Sequence, residues 1–415
     1  MVRTGFKQTE VGEIPEDWEM VRLGDHSFIT KLAGFEYTNY FNNYKDGGDI
    51  IVVRGTNITN NRLDLSDLRT IPLSTSQKLP RSQLGRGDIV FAYVGTIGPV
   101  YLVEDDGRFH LGPNTAKITC NTDLDANYLL AYFKSEFIRS EIEENTSTGA
   151  QASLSMSKIR NFRIIRPDII EQAAIAKALS NIDHLIGSLE EVIRKKRDIK
   201  TATMQQLLTG KKRLPDFGEK KRMKETELGK IPEDWNIQEL GQVATVKMGH
   251  SPSSRFYNRQ GKGVPLIQGN ADVFERKTIA RTYTTETTKH AVKGDILLSV
   301  RAPVGEVALA TFNCCIGRGV CSVSYENSYL YHLLIFLENT WSKYSSGSTF
   351  YAVSSDIVRR YPLILPSDLK EQIAIANVLS DMNADIDHLC ARLAKIKTVK
   401  QGMMQELLTG RTRLI

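Results

Sequence analysis

The pattern of apolar positions divides the chain into segments with two different periods. Short runs rich in β-branched and aromatic residues, such as Ile50–Val53 and Asp295–Val300, lie between glycine turns and predict strands. Longer patches at Ala126–Thr146 and Ser328–Thr340 predict helices. We therefore expect two compact regions, each of mixed α and β structure.

Two further segments have apolar residues at alternating steps of three and four, which is typical of a coiled coil. The first follows Pro167, and the second follows Pro366, with Asp368 placed to cap its helix. Gly210 and Gly410 are expected to end the helices, because glycine readily adopts the left-handed conformation. At ~1.5 Å per residue, a helix of about forty residues is on the order of 57 Å long. The apolar residues of the two predicted seams are Ile175, Leu179, Ile182, Ile186, Leu189, Ile193, Ile375, Leu379, Met382, Ile386, Leu389 and Leu393.

The chain contains an internal duplication. The segment Thr9–Trp18 returns as Thr226–Trp235, and both copies contain Ile-Pro-Glu-Asp-Trp. A Gly-Asp pair before an apolar strand also occurs twice, as does a Glu-Gln pair at the start of each coiled-coil segment. The two copies are similar at their ends and differ in the middle, and the second copy carries net deletions. The period is far longer than that of a solenoid, so the pattern indicates a duplicated module with a variable insert.

The duplication also predicts the direction of the two long helices. The second variable insert begins just after the first helix ends and stops where the second helix begins, so it must lie near both ends. Only an antiparallel pair brings those ends together, and it makes the chain pseudo-twofold with its termini close to each other. The alternative is that each helix packs on its own domain alone. The expected domains are 1–168, 169–210, 211–366 and 367–415.

Composition excludes some classes of protein and leaves others open. The 415 residues are 41% hydrophobic and 25% charged, which is typical of a globular protein of two or three domains. The net charge of +6 permits nucleic-acid binding without requiring it. Five cysteines without a CxxC pair favour reduced thiols over a disulfide framework or a zinc site. No signal segment or membrane span is evident, so we expect a cytoplasmic protein with no membrane contact.

Motifs for catalysis are not found in the sequence. There is no Asp/Asn-Pro-Pro-Tyr/Phe tetrapeptide of an adenine methyltransferase, no nucleotide-binding GxxxxGK[ST] loop and no HExxH. The seven histidines do not cluster at metal-ligand spacing. We therefore predict no catalytic and no metal-binding residues, although a motif search does not detect a nuclease built from scattered carboxylates.

The order of these motifs resembles one known family. Ile-Pro-Glu-Asp-Trp, a variable insert, a helix with Glu-Gln-x-x-Ile-Ala-x-x-Leu-Ser, and then Leu-Leu-Thr-Gly occur twice, as in the specificity subunits of type I restriction-modification enzymes. The resemblance covers essentially the whole chain. It implies an α+β fold in which two mixed α/β target-recognition domains are joined by two long antiparallel coiled-coil helices.

The resemblance also implies a function and partners. Each target-recognition domain would read one half of a bipartite site in double-stranded DNA, and the helices would set the spacing and dock two methyltransferase subunits. Restriction subunits would join through the methyltransferases. No cofactor is implied for this chain, whereas S-adenosylmethionine, ATP and Mg²⁺ are implied for the partner subunits. Because the two inserts have diverged, the two half-sites should differ. A stand-alone enzyme and a self-sufficient DNA-binding regulator are the competing hypotheses.

Residues that contact DNA are expected on turns beside strands, where side chains suited to base edges or phosphates occur at corresponding places in the two copies. Arg54 and Gln268 occupy such equivalent places and prefer guanine and adenine, respectively, in the usual pairings. For each residue the alternative is an ordinary turn or surface position. The candidates in the first copy are Arg54, Thr56, Asn57, Tyr93, Thr96, Asn114, Thr115, Thr148 and Gln151. The candidates in the second copy are Gln268, Asn270, Arg301, Arg318, Ser348, Thr349 and Tyr351.

Overall fold

The computed structural model describes residues 4–41, 47–59, 61–147, 152–217, 222–344 and 352–414. These residues form two compact units. Unit 1 comprises Met1–Glu190 and Arg392–Ile415, and unit 2 comprises Glu191–Ala391. Each unit therefore contains one variable region together with a part of each long helix.

Both units combine α-helices with many short strands. The helices, in chain order, are α1 (Gly34–Tyr40), α2 (Leu73–Gln77), α3 (Ala126–Phe133), α4 (Glu136–Asn145), α5 (Met156–Arg160), α6 (Ile169–Leu207), α7 (Leu240–Val243), α8 (Tyr329–Phe336), α9 (Ser355–Arg359) and α10 (Leu369–Leu407). The strands of unit 1 are β1 (Phe6–Thr9), β2 (Gly12–Pro15), β3 (Glu19–Arg22), β4 (Ser27–Lys31), β5 (Ile50–Val53), β6 (Ile58–Thr59), β7 (Arg62–Leu63), β8 (Thr70–Ile71), β9 (Gln83–Leu84), β10 (Ile89–Ala92), β11 (Val100–Leu102), β12 (Phe109–Leu111), β13 (Thr115–Cys120) and β14 (Arg163–Arg166). The strands of unit 2 are β15 (Met223–Thr226), β16 (Gly229–Pro232), β17 (Trp235–Glu239), β18 (Thr245–Met248), β19 (Tyr257–Asn258), β20 (Val264–Ile267), β21 (Val273–Phe274), β22 (Lys277–Thr278), β23 (Thr282–Thr284), β24 (His290–Ala291), β25 (Ile296–Ser299), β26 (Val307–Leu309), β27 (Cys314–Ile316), β28 (Val320–Ser324) and β29 (Pro362–Pro366).

Two sheets form the variable region of unit 1. The first is antiparallel, with the strand order β11-β10-β13-β4, and the second has the order β8-β5-β12-β9 with β5 and β12 parallel. All four residues of β10 are buried, which fits a central strand covered on both faces. The hairpin β1-β2 and the pair β3-β14 lie outside these sheets.

Unit 2 repeats this topology. Its strands β18, β28, β25 and β26 pair in the same order as β4, β13, β10 and β11, and β23-β20-β27-β24 corresponds to β8-β5-β12-β9. The hairpin β21-β22 extends the first of these sheets, and β19 extends the second. The mixed α and β structure that the sequence predicts twice is thus confirmed as one duplicated fold.

The short predicted elements hold with small changes. The strand predicted at Ile50–Val53 is β5, and the strand predicted at Asp295–Val300 is β25, one residue shorter at each end. The helical patch 126–146 is two helices, α3 and α4, because Ser135 interrupts the first and begins the second. The patch 328–340 is α8 followed by a 3-10 turn.

Both long helices begin and end at the signals that the sequence contains. The Asp168 and Asp368 carboxylates accept hydrogen bonds from the N–H groups of Ile170 and Lys370, at 2.9 and 2.8 Å, and so cap α6 and α10. Gly210 and Gly410 follow with φ of +67° and +69°. A Cβ added at Gly410 would lie 2.4 Å from Pro15 Cγ, so glycine is needed both for its conformation and for its size.

The apolar seams of the long helices are shielded from solvent. Seven of the twelve predicted seam residues are buried, namely Ile175, Leu179, Leu189, Ile193, Ile375, Leu379 and Ile386. The other five are half-buried, namely Ile182, Ile186, Met382, Leu389 and Leu393. In each unit the beginning of one helix shares a hydrophobic core with the end of the other, as Leu179 does with Leu408 in unit 1.

Ion pairs show the direction of this packing. In unit 1, Lys397 Nζ lies 2.8 Å from a Glu190 carboxylate oxygen, and Lys400 Nζ lies 2.5 Å from one of Asp183. Residue numbers thus rise along α10 as they fall along α6. Unit 2 has the same order, since α6 contacts α10 through Lys196 and Asp385 at 2.6 Å and the segment after α6 returns to the start of α10. Antiparallel pairing is therefore confirmed within each unit, against the alternative of independently docked helices.

A four-residue contact closes unit 1. Glu171 is only 2% exposed, and its carboxylate accepts hydrogen bonds from Trp18 Nε1 at 3.0 Å and from Arg413 Nε and Nη2 at 2.6 and 2.8 Å. Arg413 also donates to both carboxylate oxygens of Asp17, at 3.1 and 2.9 Å. We call Asp17, Trp18, Glu171 and Arg413 the first clamp. It joins the beginning of the chain, the start of α6 and the segment after α10.

Unit 2 contains an equivalent second clamp of Arg213, Asp234, Trp235 and Glu371. Arg213 donates to both oxygens of Asp234 at 2.9 Å and to Glu371 at 2.7 Å, and Trp235 Nε1 donates to Glu371 at 3.2 Å. Both tryptophans are fully buried and so anchor the packing of their units. Each clamp arginine lies three residues after the glycine that ends a long helix, so the same local sequence closes both units.

Candidate nucleic-acid interface

Three turns of unit 1 that are distant in sequence come together beside the ends of β5, β10 and β12. Gly112 N donates to Val53 O at 2.9 Å, and Tyr93 N donates to Asn114 O at 3.1 Å. A Cβ added at Gly55 would lie 3.8 Å from Asn114 O, which places the third turn beside the other two. We call residues 54–57, 93–96 and 112–115 the first loop cluster. It brings together all the described DNA-contact candidates of the first copy.

Arg54 and Asn57 fix the shape of the first of these turns. Arg54 Nε donates to Asn57 Oδ1 at 3.0 Å, and Arg54 Nη2 donates to Asp67 Oδ2 at 2.9 Å. This hydrogen bond lowers the pKa of the Asp67 carboxyl. Asn57 is buried and donates to Asp67 O at 2.9 Å. The guanidinium of Arg54 is thus engaged inside the unit, and the structure favours a positioning role for both residues.

The other candidates of the first loop cluster differ in exposure. Thr115 is buried, with Oγ1 2.8 Å from Gly112 O, so it too supports the turn. Thr56, Thr96 and Asn114 are exposed, and Asn114 has a positive φ of +63°. Their side chains present the hydroxyl and amide groups of the cluster to solvent.

Tyr93 is half-buried, and burial raises the pKa of its hydroxyl. Lys31 Nζ lies 5.8 Å from the centre of the Tyr93 ring, which places an additional cation beside the first loop cluster. Lys31 was not among the residues predicted from the sequence. Lys31 ends β4, and only the pairing of β4 with β13 brings it to this site, so the sequence alone contains no signal for it.

Unit 2 has a second loop cluster, made of residues 268–272, 299–302 and 317–320. The backbone contacts are equivalent to those of unit 1, since Gly317 N donates to Ile267 O at 2.8 Å and Val300 N donates to Gly319 O at 2.9 Å. The turns approach so closely that a Cβ at Gly319 would lie 2.2 Å from Gln268 O. Asp272, another residue missed from the sequence, is buried and accepts a hydrogen bond from Gln268 N at 2.7 Å, much as Asn57 accepts one from Arg54 N.

The second loop cluster surrounds an open cleft of about 270 Å³. The predicted residues Gln268, Asn270, Arg301 and Arg318 all line it. Gln268, Arg301 and Arg318 are exposed, whereas Asn270 is half-buried. The structure therefore brings the described candidates of the second copy to one site.

Five predicted residues lie outside the described residues, and their DNA contacts stay predictions. They are Thr148, Gln151, Ser348, Thr349 and Tyr351.

The carboxylates that precede the central strands have a structural explanation. Asp88 Oδ2 accepts a hydrogen bond from Gly85 N at 2.8 Å, and Asp295 Oδ2 accepts one from Val292 N at 3.0 Å. Both carboxylates therefore stabilise turns. Within the described ranges, no group of three or more His, Cys, Asp or Glu side chains is arranged to hold a metal ion. No helix in those ranges is long and apolar enough to cross a membrane.

A family model and full-length relatives match the chain. The model of the type I restriction modification DNA specificity domain matches residues 15–196 and 232–398, once in each copy of the repeat. A putative type I restriction enzyme MjaX specificity subunit of Methanocaldococcus jannaschii is 32% identical, over 99% of this chain and 97% of the relative. The type I restriction enzyme MjaVIII specificity subunit of the same organism is 23% identical, over 99% and 96%.

Solved structures share the fold. The S subunit of a type I restriction-modification system from M. genitalium has a TM-score of 0.60 at 14% identity, with 94% of this chain and 96% of that chain covered. A chain from work on complex assembly and conformational transition of the type I R-M system has a TM-score of 0.57 at 24% identity, with 96% and 99% covered. At these identities the likeness shows the architecture alone.

Proposed function

This chain belongs to the type I restriction-modification DNA specificity family, and we propose from this that it is the non-catalytic subunit that selects the DNA sequence for a type I enzyme. Each variable region acts as a target-recognition domain and reads one half of a bipartite site in double-stranded DNA. The observation that carries this assignment is the pair of loop clusters, which share one backbone arrangement and differ in their side chains.

The loop clusters suit this task for a physical reason. Base edges are read by side chains that are held on a rigid support and point toward a groove. Hydrogen bonds between neighbouring turns hold the backbone of each cluster, while Thr56, Asn114, Gln268 and Arg318 remain exposed. Since the exposed sets differ between the units, the two half-sites differ and the target is asymmetric.

The long helices suit a spacer and a docking surface. The length of each helix is set by its 39 residues and not by the loop clusters. A change in the loops therefore changes the specificity and leaves the gap between half-sites unchanged. In this proposal two methyltransferase subunits dock on the helices, and restriction subunits join through the methyltransferases. The chain itself binds no cofactor, the partners use S-adenosylmethionine, ATP and Mg²⁺, and the complex works in the cytoplasm.

The test is single-molecule methylation sequencing of DNA from cells that express this chain with its cognate methyltransferase. Cells with the methyltransferase alone are the control. We expect methyladenine at one asymmetric bipartite motif only when this chain is present. Absence of a new motif from an intact complex would contradict the assignment and support a DNA-binding regulator, which binds its site tightly on its own. Turnover by the isolated chain would indicate an enzyme.

A further inference from the structure

The second loop cluster contains two arginines whose side chains have no hydrogen bond or ion pair to any other described residue. We propose that Arg301 and Arg318 determine the sequence read by unit 2, and that each recognises a guanine in that half-site. This inference rests on the proposed function and adds the chemistry of one half-site to it. Both arginines are exposed and line the same cleft.

Unit 1 shows that an arginine in such a cluster is not always free. The guanidinium of Arg54 is held by Asn57 and Asp67, and its side chain is only 18% exposed. No carboxylate in the described part of the chain lines the cleft that contains Arg301 and Arg318. The positive charge of these two arginines is therefore available to a ligand.

The backbone at both arginines is fixed before any ligand arrives. Arg318 N donates to Ser251 Oγ at 3.1 Å, and Ser299 Oγ lies 2.7 Å from Arg301 O and 2.8 Å from Pro303 O. A fixed backbone reduces the entropy that is lost when a side chain engages DNA. It also limits which bases each guanidinium can reach.

The guanidiniums of the cleft favour a ligand surface that accepts hydrogen bonds. Arg301 and Arg318 contribute only donors, because a guanidinium has no acceptor, whereas the amide of Gln268 in the same cleft can donate or accept. In the major groove, guanine presents two acceptors, O6 and N7, on one edge, and arginine binds both at once. Guanine therefore matches the guanidiniums of this cleft better than adenine, whose major-groove edge offers the N6 amino donor beside its N7 acceptor.

The experiment uses the complete complex in cells, with methylation sequencing as the readout. Exchange of residues 20–165 for the insert of a relative first identifies the half-site that belongs to unit 1, and the other half-site then belongs to unit 2. Arg301→Ala, Arg318→Ala and Arg318→Lys are compared with the parent chain. Lys230→Ala is the matched control, because it removes one exposed charge outside the second loop cluster.

We expect each alanine variant to lose discrimination at one guanine position of the unit 2 half-site by on the order of 5- to 100-fold, with the unit 1 half-site unchanged. Arg318→Lys should lose discrimination as well, because lysine lacks the planar pair of donors. The unchanged unit 1 half-site shows in each case that the variant chain folds and assembles.

Two results would overturn the inference while leaving the proposed function intact. One is a unit 2 half-site that contains only A·T pairs. The other is a uniform loss of methylation at every site without relaxed specificity, rescued by Arg318→Lys, which would show that the arginine binds phosphate. If the parent chain directs no motif at all, the proposed function itself is wrong, and this inference fails with it.

Discussion

The first clamp allows a quantitative test of how unit 1 is held together. Replacing Arg413 by alanine leaves the carboxylate of Glu171, which is 2% exposed, with a single hydrogen bond from Trp18. Removing one partner of a buried ion pair costs about 3 to 5 kcal/mol. The Arg413 side chain is itself 31% exposed, so water reaches part of the site, and we expect the lower end of that range, about 3 kcal/mol.

Asp17→Asn is the matched control on the other side of the same arginine. The Asp17 side chain is 64% exposed, and its ion pair with Arg413 is that of a surface pair, which contributes less than about 1 kcal/mol. The two variants disturb neighbouring contacts of one guanidinium. They differ in whether a buried charge is left behind.

Hydrogen exchange followed by mass spectrometry on the full chain measures both effects. Some amides exchange only when the clamp opens, and a loss of about 3 kcal/mol in local stability raises their exchange rate by roughly 100-fold. Peptides that contain Trp18 should therefore show this rise with Arg413→Ala. Arg213→Ala should do the same for peptides that contain Trp235. Glu171→Gln, added to Arg413→Ala, should recover part of the loss because it removes the unpaired charge. Equal effects of Arg413→Ala and Asp17→Asn, or no recovery in the double variant, would refute this reasoning.

Three further predictions concern other parts of the molecule. Burial lowers the pKa of His332 to about 4, so below pH 6.5 the unfolded chain takes up a proton that the folded unit does not. In urea unfolding, the free energy of unfolding of unit 2 should therefore fall by about 2 kcal/mol between pH 7 and pH 5. His332→Gln should remove this pH dependence. Gly410→Ala should lower the melting temperature because its Cβ would meet Pro15, whereas Gly402→Ala, at an open position within α10, should leave it unchanged or raise it slightly. Exchange of residues 20–165 for the insert of a relative should change one half-site in methylation sequencing, and a change in both would contradict two independent readers.

The parts of the fold that could be predicted depend on neighbours in the sequence. The long helices follow from a seam with a regular period, a capping aspartate such as Asp368 and a terminal glycine such as Gly410, all of which act over a few residues. The direction of the helices followed from the positions of the inserts along the chain. Neither inference needed a side-chain contact between distant residues.

The roles within the loop clusters could not be predicted, because they depend on distant partners. Arg54 and Arg318 both lie on a turn after a strand, and the sequence alone does not distinguish their roles. Only the fold shows that Asp67 engages Arg54, whereas Arg318 has no such partner among the described residues. The same holds for Thr115, whose burial follows from its contact with Gly112 and the end of β5.

The duplication itself separates these two kinds of residue. Arg213 and Arg413 stand at the same position after Leu-Leu-Thr-Gly in both copies, and each closes a clamp around a buried glutamate. Arg318, by contrast, differs between the copies. Equivalent backbone hydrogen bonds are accepted by Asn114 in the first copy and by Gly319 in the second. The residue before Asn114 is Pro113, so the first copy has no arginine at the position of Arg318. A residue kept in both copies has the same task twice, which is to hold a unit together. A residue that differs on an otherwise equivalent backbone, such as Arg318, is where we expect the two units to read different DNA.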